Sequence, residues 1–318
     1  MKYIEKKYCK HIEGLEDVNK NARHFPGEFI MSAETSFRES LDDIVEIALN
    51  DRNFKIIMIA GPSASGKTTT SKILCEEFQK EGVGSLLISL DNFFKGRGQA
   101  PLLPNGRFDY EAVEALNVEQ MQGCLLSLME KGFSDMPKFD FTTGQQIENF
   151  RRVTIGSGDI VIVEGIHALN PIVKSNLPAD RLLNVYISVK QGVKDGEKTV
   201  LTHEDIRLIR RTVRDYKFRS NGPEGTMEMW EQVVKGEKKY IQPFKRSADV
   251  TINSIHMYEP CVFGQMLNPI LKTVPEASEY YEKCVYLYDA LSKFEQIPVE
   301  RVPDSSLLRE FLGGSKYY

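Results

Sequence analysis

The stretch Gly61-Pro62-Ser63-Ala64-Ser65-Gly66-Lys67-Thr68-Thr69 carries the residue types of a triphosphate site. Residues 61–68 fit G-x-x-x-x-G-K-[ST] without a mismatch. They lie between an apolar run and a helix-compatible segment that reaches Phe78, the context this pattern requires. Gly61 and Gly66 permit a tight turn in which successive backbone N–H groups converge on phosphate oxygens at a helix N-terminus. Lys67 adds a cation for the outer phosphates, and the Thr68 hydroxyl can hold Mg²⁺. An ordinary Gly/Ser turn before a helix does not need this full set in this order.

Two acids follow apolar runs. Asp91 ends Ser85-Leu86-Leu87-Ile88-Ser89-Leu90, and Glu164 ends Ile160-Val161-Ile162-Val163. In open α/β sheets ligands bind at the C-terminal edge of the strands. A carboxylate at Asp91 could take the proton of an attacking hydroxyl, orient Mg²⁺ through water, or cap the next turn; the first reading is adopted. Glu164 fits the acid that supports Mg²⁺ in phosphate-loop enzymes.

Four arginines, Arg207, Arg210, Arg211 and Arg214, recur at i, i+3, i+4 and i+7 and so share one helix face. Ile209, Thr212, Val213 and Tyr216 take the opposite face, which is expected to pack on the sheet. Like charges at this spacing repel, so an anion is expected to offset them. A transferring phosphoryl group is one such anion. His167, after Glu164-Gly165-Ile166, is read as structural, and no His/Cys set has zinc spacing.

The elements that must position these residues alternate between strand and helix. Strands are expected near residues 56–60, 85–91, 160–165, 181–189 and 248–253. Helices are expected over 36–50, from the phosphate loop to 78, and over 118–130, 203–220 and 226–240. The Gly/Pro/Asn-rich region 92–109 reads as a functional loop, and it and residues 214–225 are expected to close over ligand. Residues 257–312 read as largely helical, broken near Pro269, Pro275 and Pro298. This pattern predicts a doubly wound parallel α/β sheet of the P-loop NTPase type, with a lid and a helical C-terminal extension. Three segments follow: 1–50 as an N-terminal extension, 51–255 as the P-loop domain and 256–318 as the helical extension.

Composition narrows the class. The 318 residues are 41% hydrophobic and 27% charged, as in a globular chain. A net charge of −4 gives no global attraction to nucleic acid. No apolar run approaches a membrane span, and the N-terminus lacks an apolar signal core. Cys9, Cys75, Cys124, Cys261 and Cys284 are scattered and read as reduced thiols, which points to the cytoplasm. The apolar C-terminal helices could bury a homo-oligomer interface or complete the core.

With these residues in view, the chain resembles the uridine kinase branch of the phosphoribulokinase/uridine kinase family. The resemblance rests on residues 61–68, Ser89-Leu90-Asp91-Asn92-Phe93-Phe94, Phe108-Asp109-Tyr110, Pro137-Lys138-Phe139-Asp140-Phe141, Val163-Glu164-Gly165-Ile166 and Arg210-Arg211-Thr212-Val213-Arg214-Asp215, in family order. It is similar to a bacterial nucleoside-kinase subgroup in which a threonyl-tRNA-synthetase-like region often precedes this domain. That region is expected to be absent here or reduced to about the first 50 residues. Residues 297–314, with Ser305-Ser306-Leu307-Leu308-Arg309-Glu310-Phe311-Leu312, match the same subgroup.

The resemblance implies that Asp91 activates a nucleoside 5′-hydroxyl and that Asp109 and Arg211 hold the ribose. It also implies that Arg214 and Arg219 reach the phosphates, and that Thr68, Asp91 and Glu164 surround Mg²⁺. Phe94 and Phe139 fall at acceptor positions. Phe139 and Gly144 stand where pyrimidine-reading Tyr and His are usual, and Phe94 where Tyr is usual, so base recognition is expected to be looser than ribose recognition. The function expected is NTP-dependent (ATP or another NTP) transfer to the 5′-hydroxyl of a ribonucleoside, with uridine foremost. The rivals are a related kinase with a sugar phosphate or pantothenate acceptor, and an NTP-binding protein that transfers nothing.

Overall fold

The computed structural model describes residues 14–51 and 53–318; Cys9 and the rest of the first 13 residues lie outside them. The sheet is built from β1 (Ile56–Ala60), β2 (Ser85–Ser89), β5 (Ile160–Glu164), β6 (Leu182–Ser188) and β9 (Val250–Asn253), all parallel in the order β2-β5-β1-β6-β9. β1 is central, with Ile56 opposite Val161 on one side and Leu182 on the other. Its five residues are all buried because both sheet faces are covered, which is why parallel strands read as continuous apolar runs.

Side-chain alternation sends Ile57, Ile59, Ile162, Val185 and Ile187 into one core and Ile56, Met58, Val161, Val163 and Tyr186 into the other. The first core is covered by α1 (Leu15–His24), α2 (Pro26–Asn50), α3 (Lys67–Lys80), α6 (His203–Phe218), α7 (Pro223–Tyr240), α8 (Glu259–Leu271) and α9 (Tyr281–Leu291). The second is covered by α4 (Val118–Lys131) and the short α5 (Pro171–Lys174). Two small hairpins, β3 (Phe133–Asp140) with β4 (Gln145–Thr154) and β7 (Val193–Asp195) with β8 (Lys198–Leu201), stand apart from the sheet. A last turn, α10 (Arg309–Leu312), precedes the C-terminus.

Several boundaries differ from expectation for local reasons. Helix α2 begins at Pro26, not Ser36, because Pro occupies the first turn, where its missing N–H is no loss. Asp91 lies in a 3₁₀ turn, Leu90–Phe93, after β2 has ended. Pro269 sits inside α8 without ending it. Tyr216, expected on the packed face of α6, is half exposed. Helix α6 starts with a capping box in which Thr202 and Asp205 satisfy each other's backbone N–H groups. Asp205 also accepts hydrogen bonds from Lys283 (2.6 Å) and Tyr286 (2.9 Å), which ties α9 to the first turn of α6. Among the described residues no helix is long and apolar enough to cross a membrane.

Glu34 links three segments of the first core. Its carboxylate accepts from the Tyr258 hydroxyl at 2.6 Å and faces His256 Nε2 at 3.6 Å. Burial alone would raise this carboxyl, but the His256 charge and hydrogen bonds from His256, Ser306 and Tyr258 hold it down at about 2. A pKa depressed from 4.5 stabilises the fold above the unfolded value, and this stabilisation is lost as pH falls through the window from about 4.5 to about 2. The shift corresponds to on the order of 3 kcal/mol. Glu34→Gln is expected to lower Tm at pH 7 and to flatten the loss of stability between pH 5 and 2, read by thermal denaturation across pH; an acid limb as steep as that of the parent would contradict this.

Candidate active site

The phosphate loop leaves β1 at Gly61 and enters α3 at Lys67. Gly61 is required by close approach, since a Cβ there would stand 2.1 Å from the carbonyl oxygen of Ile187. Gly66 adopts φ +86° with no room for a side chain beside Leu307, a conformation that costs little only for glycine. Ala64 also takes a left-handed φ of 59°. Such turns direct N–H groups to one side and carbonyls to the other.

The carbonyls meet arginines. Arg207 donates to the Ser63 carbonyl at 3.4 Å and Arg210 to the Ala64 carbonyl at 3.3 Å. Both arginines are fully buried. Arg207 pairs with Glu237 at 2.7 Å, under the Trp230 ring. Arg210 makes a two-pronged pair with Glu259 at 2.6 and 2.9 Å and donates to the Ser254 carbonyl at 2.7 Å. The sequence reading that put all four arginines on a substrate face is therefore corrected. Arg207 and Arg210 brace the loop from behind, and the anions that offset them are Glu237 and Glu259.

Arg211 and Arg214 do face a cleft of about 680 Å³, together with Arg219. Arg211 donates to the Ser63 hydroxyl at 2.8 Å. Asp215, itself buried, pairs with Arg214 at 2.8 Å, Arg211 at 3.2 Å and Arg219 at 3.6 Å, and so holds the three guanidinium groups together. The cleft also brings together Ser63, Ala64, Gly66, Lys67, Thr68, Asp91, Phe94 and Glu164. Lys67 donates to the Pro62 carbonyl at 3.1 Å. Gly61 and Ser65 lie behind it, and the Thr69 hydroxyl is engaged by Glu310 at 2.7 Å and Tyr318 at 3.0 Å.

The carboxylates crowd one another. Burial, then the charge of Asp91, pushes Glu164 up to about 7 against the pull of Lys67. Asp91 is raised by desolvation, with Lys67 and Arg219 opposing. Asp91 lines the cleft and is itself exposed, so screening by solvent moderates the shift. Lys67 is pushed down by burial, against the field of Glu164 and Asp91. Two oxygen-donor acids and the Thr68 hydroxyl at one cleft fit a hard divalent cation such as Mg²⁺.

At the acceptor end the arrangement departs from the sequence reading. Asp109 is buried and does not line the cleft; it accepts from the Tyr240 hydroxyl at 2.7 Å and from the Glu111 N–H. Glu111 lines the cleft instead, and its carboxyl is raised to about 7 by burial, with Arg211 and Lys67 opposing. Sequence reasoning missed Glu111 because nothing in Asp109-Tyr110-Glu111 marks which acid turns inward. Phe139 packs against Phe94 in a tilted arrangement, ring centroids 5.6 Å apart, and does not itself line the cleft. Gly144 forms the β3–β4 turn against Arg97. His167 is buried edge-on to Tyr240, and burial pushes its pKa down to about 4, which keeps it neutral.

The model of the Phosphoribulokinase / Uridine kinase family matches residues 56–259, from β1 to the start of α8. A uridine kinase of Deinococcus deserti is 28% identical over 219 residues, or 69% of this chain and 95% of its own length. One of Anoxybacillus flavithermus is 30% identical over 198 residues, or 62% and 84%. Among solved structures, a possible uridine kinase from Bacillus stearothermophilus is similar with a TM-score of 0.48 at 16% identity, over 68% of this chain and 99% of that one. The matched span holds the phosphate loop, Asp91, Glu164 and the α6 arginines. The chain belongs to the phosphoribulokinase/uridine kinase family and is an NTP-dependent kinase.

Proposed function

We propose that the protein is a nucleoside 5′-kinase that transfers the γ-phosphoryl group of ATP or another NTP to a ribonucleoside, with uridine as the first acceptor to try. The observation that carries this reading is the convergence of Lys67, Asp91, Arg211 and Arg214 on one cleft beside the phosphate loop. Asp91 and Glu111 make the far end acidic, which suits a neutral polyol and disfavours a phosphorylated acceptor such as a sugar phosphate. A protein that only bound nucleotide would need neither acid.

In the transfer, the acceptor oxygen attacks the γ-phosphorus in line while Asp91 takes the hydroxyl proton. The bond from that phosphorus to the bridging oxygen breaks, and the nucleoside diphosphate leaves with the electron pair. Lys67 and Arg214 are held where charge gathers on the equatorial oxygens, Arg214 by Asp215. Thr68, Asp91 and Glu164 would hold Mg²⁺, which supplies charge neutralisation to the phosphates when bound. Glu111 is the carboxylate that accepts hydrogen bonds from acceptor hydroxyls, in the role that the resemblance implied for Asp109. Arg211, braced on Ser63, lies between the two substrates.

An acceptor screen reading ADP release, over ribonucleosides, a sugar phosphate and pantothenate, tests the reading; turnover with a sugar phosphate or pantothenate alone would overturn it. Lys67→Ala and Arg214→Ala are expected to lower kcat by about 10²–10³ with little change in acceptor KM. Arg210→Ala should behave differently, because it strands Glu259 in the core. It is expected to cost about 3–5 kcal/mol of stability, read as a drop in Tm, which Arg214→Ala should not show.

The raised Glu111 carboxyl gives a pH signature. Below about 7 it is protonated and a weaker acceptor, so acceptor KM should fall as pH rises through about 7. Glu111→Gln is expected to raise acceptor KM several-fold at pH 8 and to flatten that dependence. An unchanged KM profile in the variant would return the acceptor role to Asp109.

A further inference from the structure

Residues 307–318 lie outside the family match, yet they form one side of the cleft. Leu307 packs where a side chain on Gly66 would have to go. Glu310 and Tyr318 both reach the hydroxyl of Thr69, in the first turn of α3. Lys72 stands 3.5 Å over the Tyr318 ring and donates to the Tyr317 carbonyl at 2.7 Å. Lys217, from the end of α6, donates to the Leu312 carbonyl at 2.6 Å. Arg309 donates to the carbonyls of Val299, Val302, Pro303 and Gly313. This wall is built by at least six directional contacts to the kinase core and to itself.

Its position relative to the phosphates sets its use. The loop N–H groups take the α- and β-phosphates and Lys67 the outer ones, and the transferred group must face Asp91. The nucleoside half of the donor must therefore leave from the opposite end, past Thr69. A carboxylate there gains nothing from phosphate oxygens, which repel it; it is useful as an acceptor for hydroxyl donors, as acids are toward ribose in other dinucleotide sites. Two aromatic rings that line the cleft, Phe218 and Tyr318, are more than half exposed. Gly313 and Gly314 line the same cleft and present only backbone, with Phe218 Cζ 3.0 Å from where a Cβ on Gly313 would stand. Exposed aromatic faces beside a side-chain-free strip make a slot for a planar base.

We infer that the C-terminal segment is the donor-nucleoside subsite: Glu310 receives the donor ribose hydroxyls, and Phe218 and Tyr318 bracket the base. This rests on the kinase reading only in taking the donor to be a nucleoside triphosphate, so the test uses binding and needs no acceptor. Calorimetry of the full chain with Mg-ATP, Mg-2′-deoxyATP and Mg-3′-deoxyATP reads the ribose term. The parent protein is expected to favour ATP over at least one deoxy form by about tenfold or more, the scale of a hydrogen bond to a charged acceptor. Glu310→Gln should shrink that ratio below about threefold. Tyr318→Ala should weaken ATP binding several-fold, and Tyr318→Phe, which keeps the ring, should restore it. A merely structural wall would lower Tm and weaken all three nucleotides equally. Equal affinities for the three nucleotides in the parent protein, an undiminished ratio in Glu310→Gln, or a uniform loss in all variants would each overturn the inference. A failed acceptor screen with the ribose ratio behaving as expected would defeat the nucleoside-kinase reading alone.

Discussion

A loop that aims its N–H groups at a ligand has to aim its carbonyls into the protein. Here that constraint is met by two buried guanidinium groups, Arg207 and Arg210, on the carbonyls of Ser63 and Ala64. Cations with no exposed surface need carboxylates, which come from Glu237 in α7 and Glu259 at the start of α8. A buried pair of this kind adds little net stability against an apolar replacement, but breaking one costs several kcal/mol. Its retention therefore fits a positional duty. The helices that supply the acids must themselves be anchored, and α8 and α9 pack into the core shared with α2 and the sheet. The C-terminal helices are thus coupled to the phosphate loop through charge as well as through contact.

How much of this the sequence disclosed depended on whether a local pattern carried the information. β1 and β5 were legible because both faces are buried, leaving unbroken apolar runs between breaks. α4, α6 and α7 were legible by periodicity. The β3–β4 hairpin was not, because most of β4 is exposed and so lacks an alternating signal. In β3 the register shifts around Pro137, which cannot donate to the ladder. Helix α1 and the first half of α2 were missed because their apolar residues are thinly spread and Phe25-Pro26-Gly27, which ends α1, also starts α2.

The arginine face marks a deeper limit. Helical spacing says which side chains share a face, and it did so correctly for Arg207, Arg210, Arg211 and Arg214. It does not say whether the face meets solvent, substrate or an acid elsewhere in the chain. The partners lie 30 and 49 residues away and carry no motif. The same blindness applies to Asp109 and Glu111, two residues apart, of which one turns to Tyr240 and the other to the cleft. Motifs located the loop and its neighbours; only tertiary packing sorted the braces from the groups that can touch ligand.

Charge around the cleft links these points. Asp91, Glu111, Glu164 and Glu310 all line it, against Lys67, Arg211, Arg214, Arg219 and Arg309. Arg309 is spent on backbone carbonyls, and Asp215 offsets part of the arginine cluster. Burial raises Glu111 and Glu164 to about 7, the neighbouring Asp91 adds to it, and the cations present do not offset it, so the acids are short of positive charge. Protonation is one way to relieve that shortage and a divalent cation is another, since it lets the acids stay ionised beside a triphosphate. The triphosphate alone would add anions to a site already crowded with them. On the proposed kinase reading, a nucleotide and a divalent cation would bind as a coupled pair, as a consequence of where four carboxylates from distant parts of the chain have been brought together.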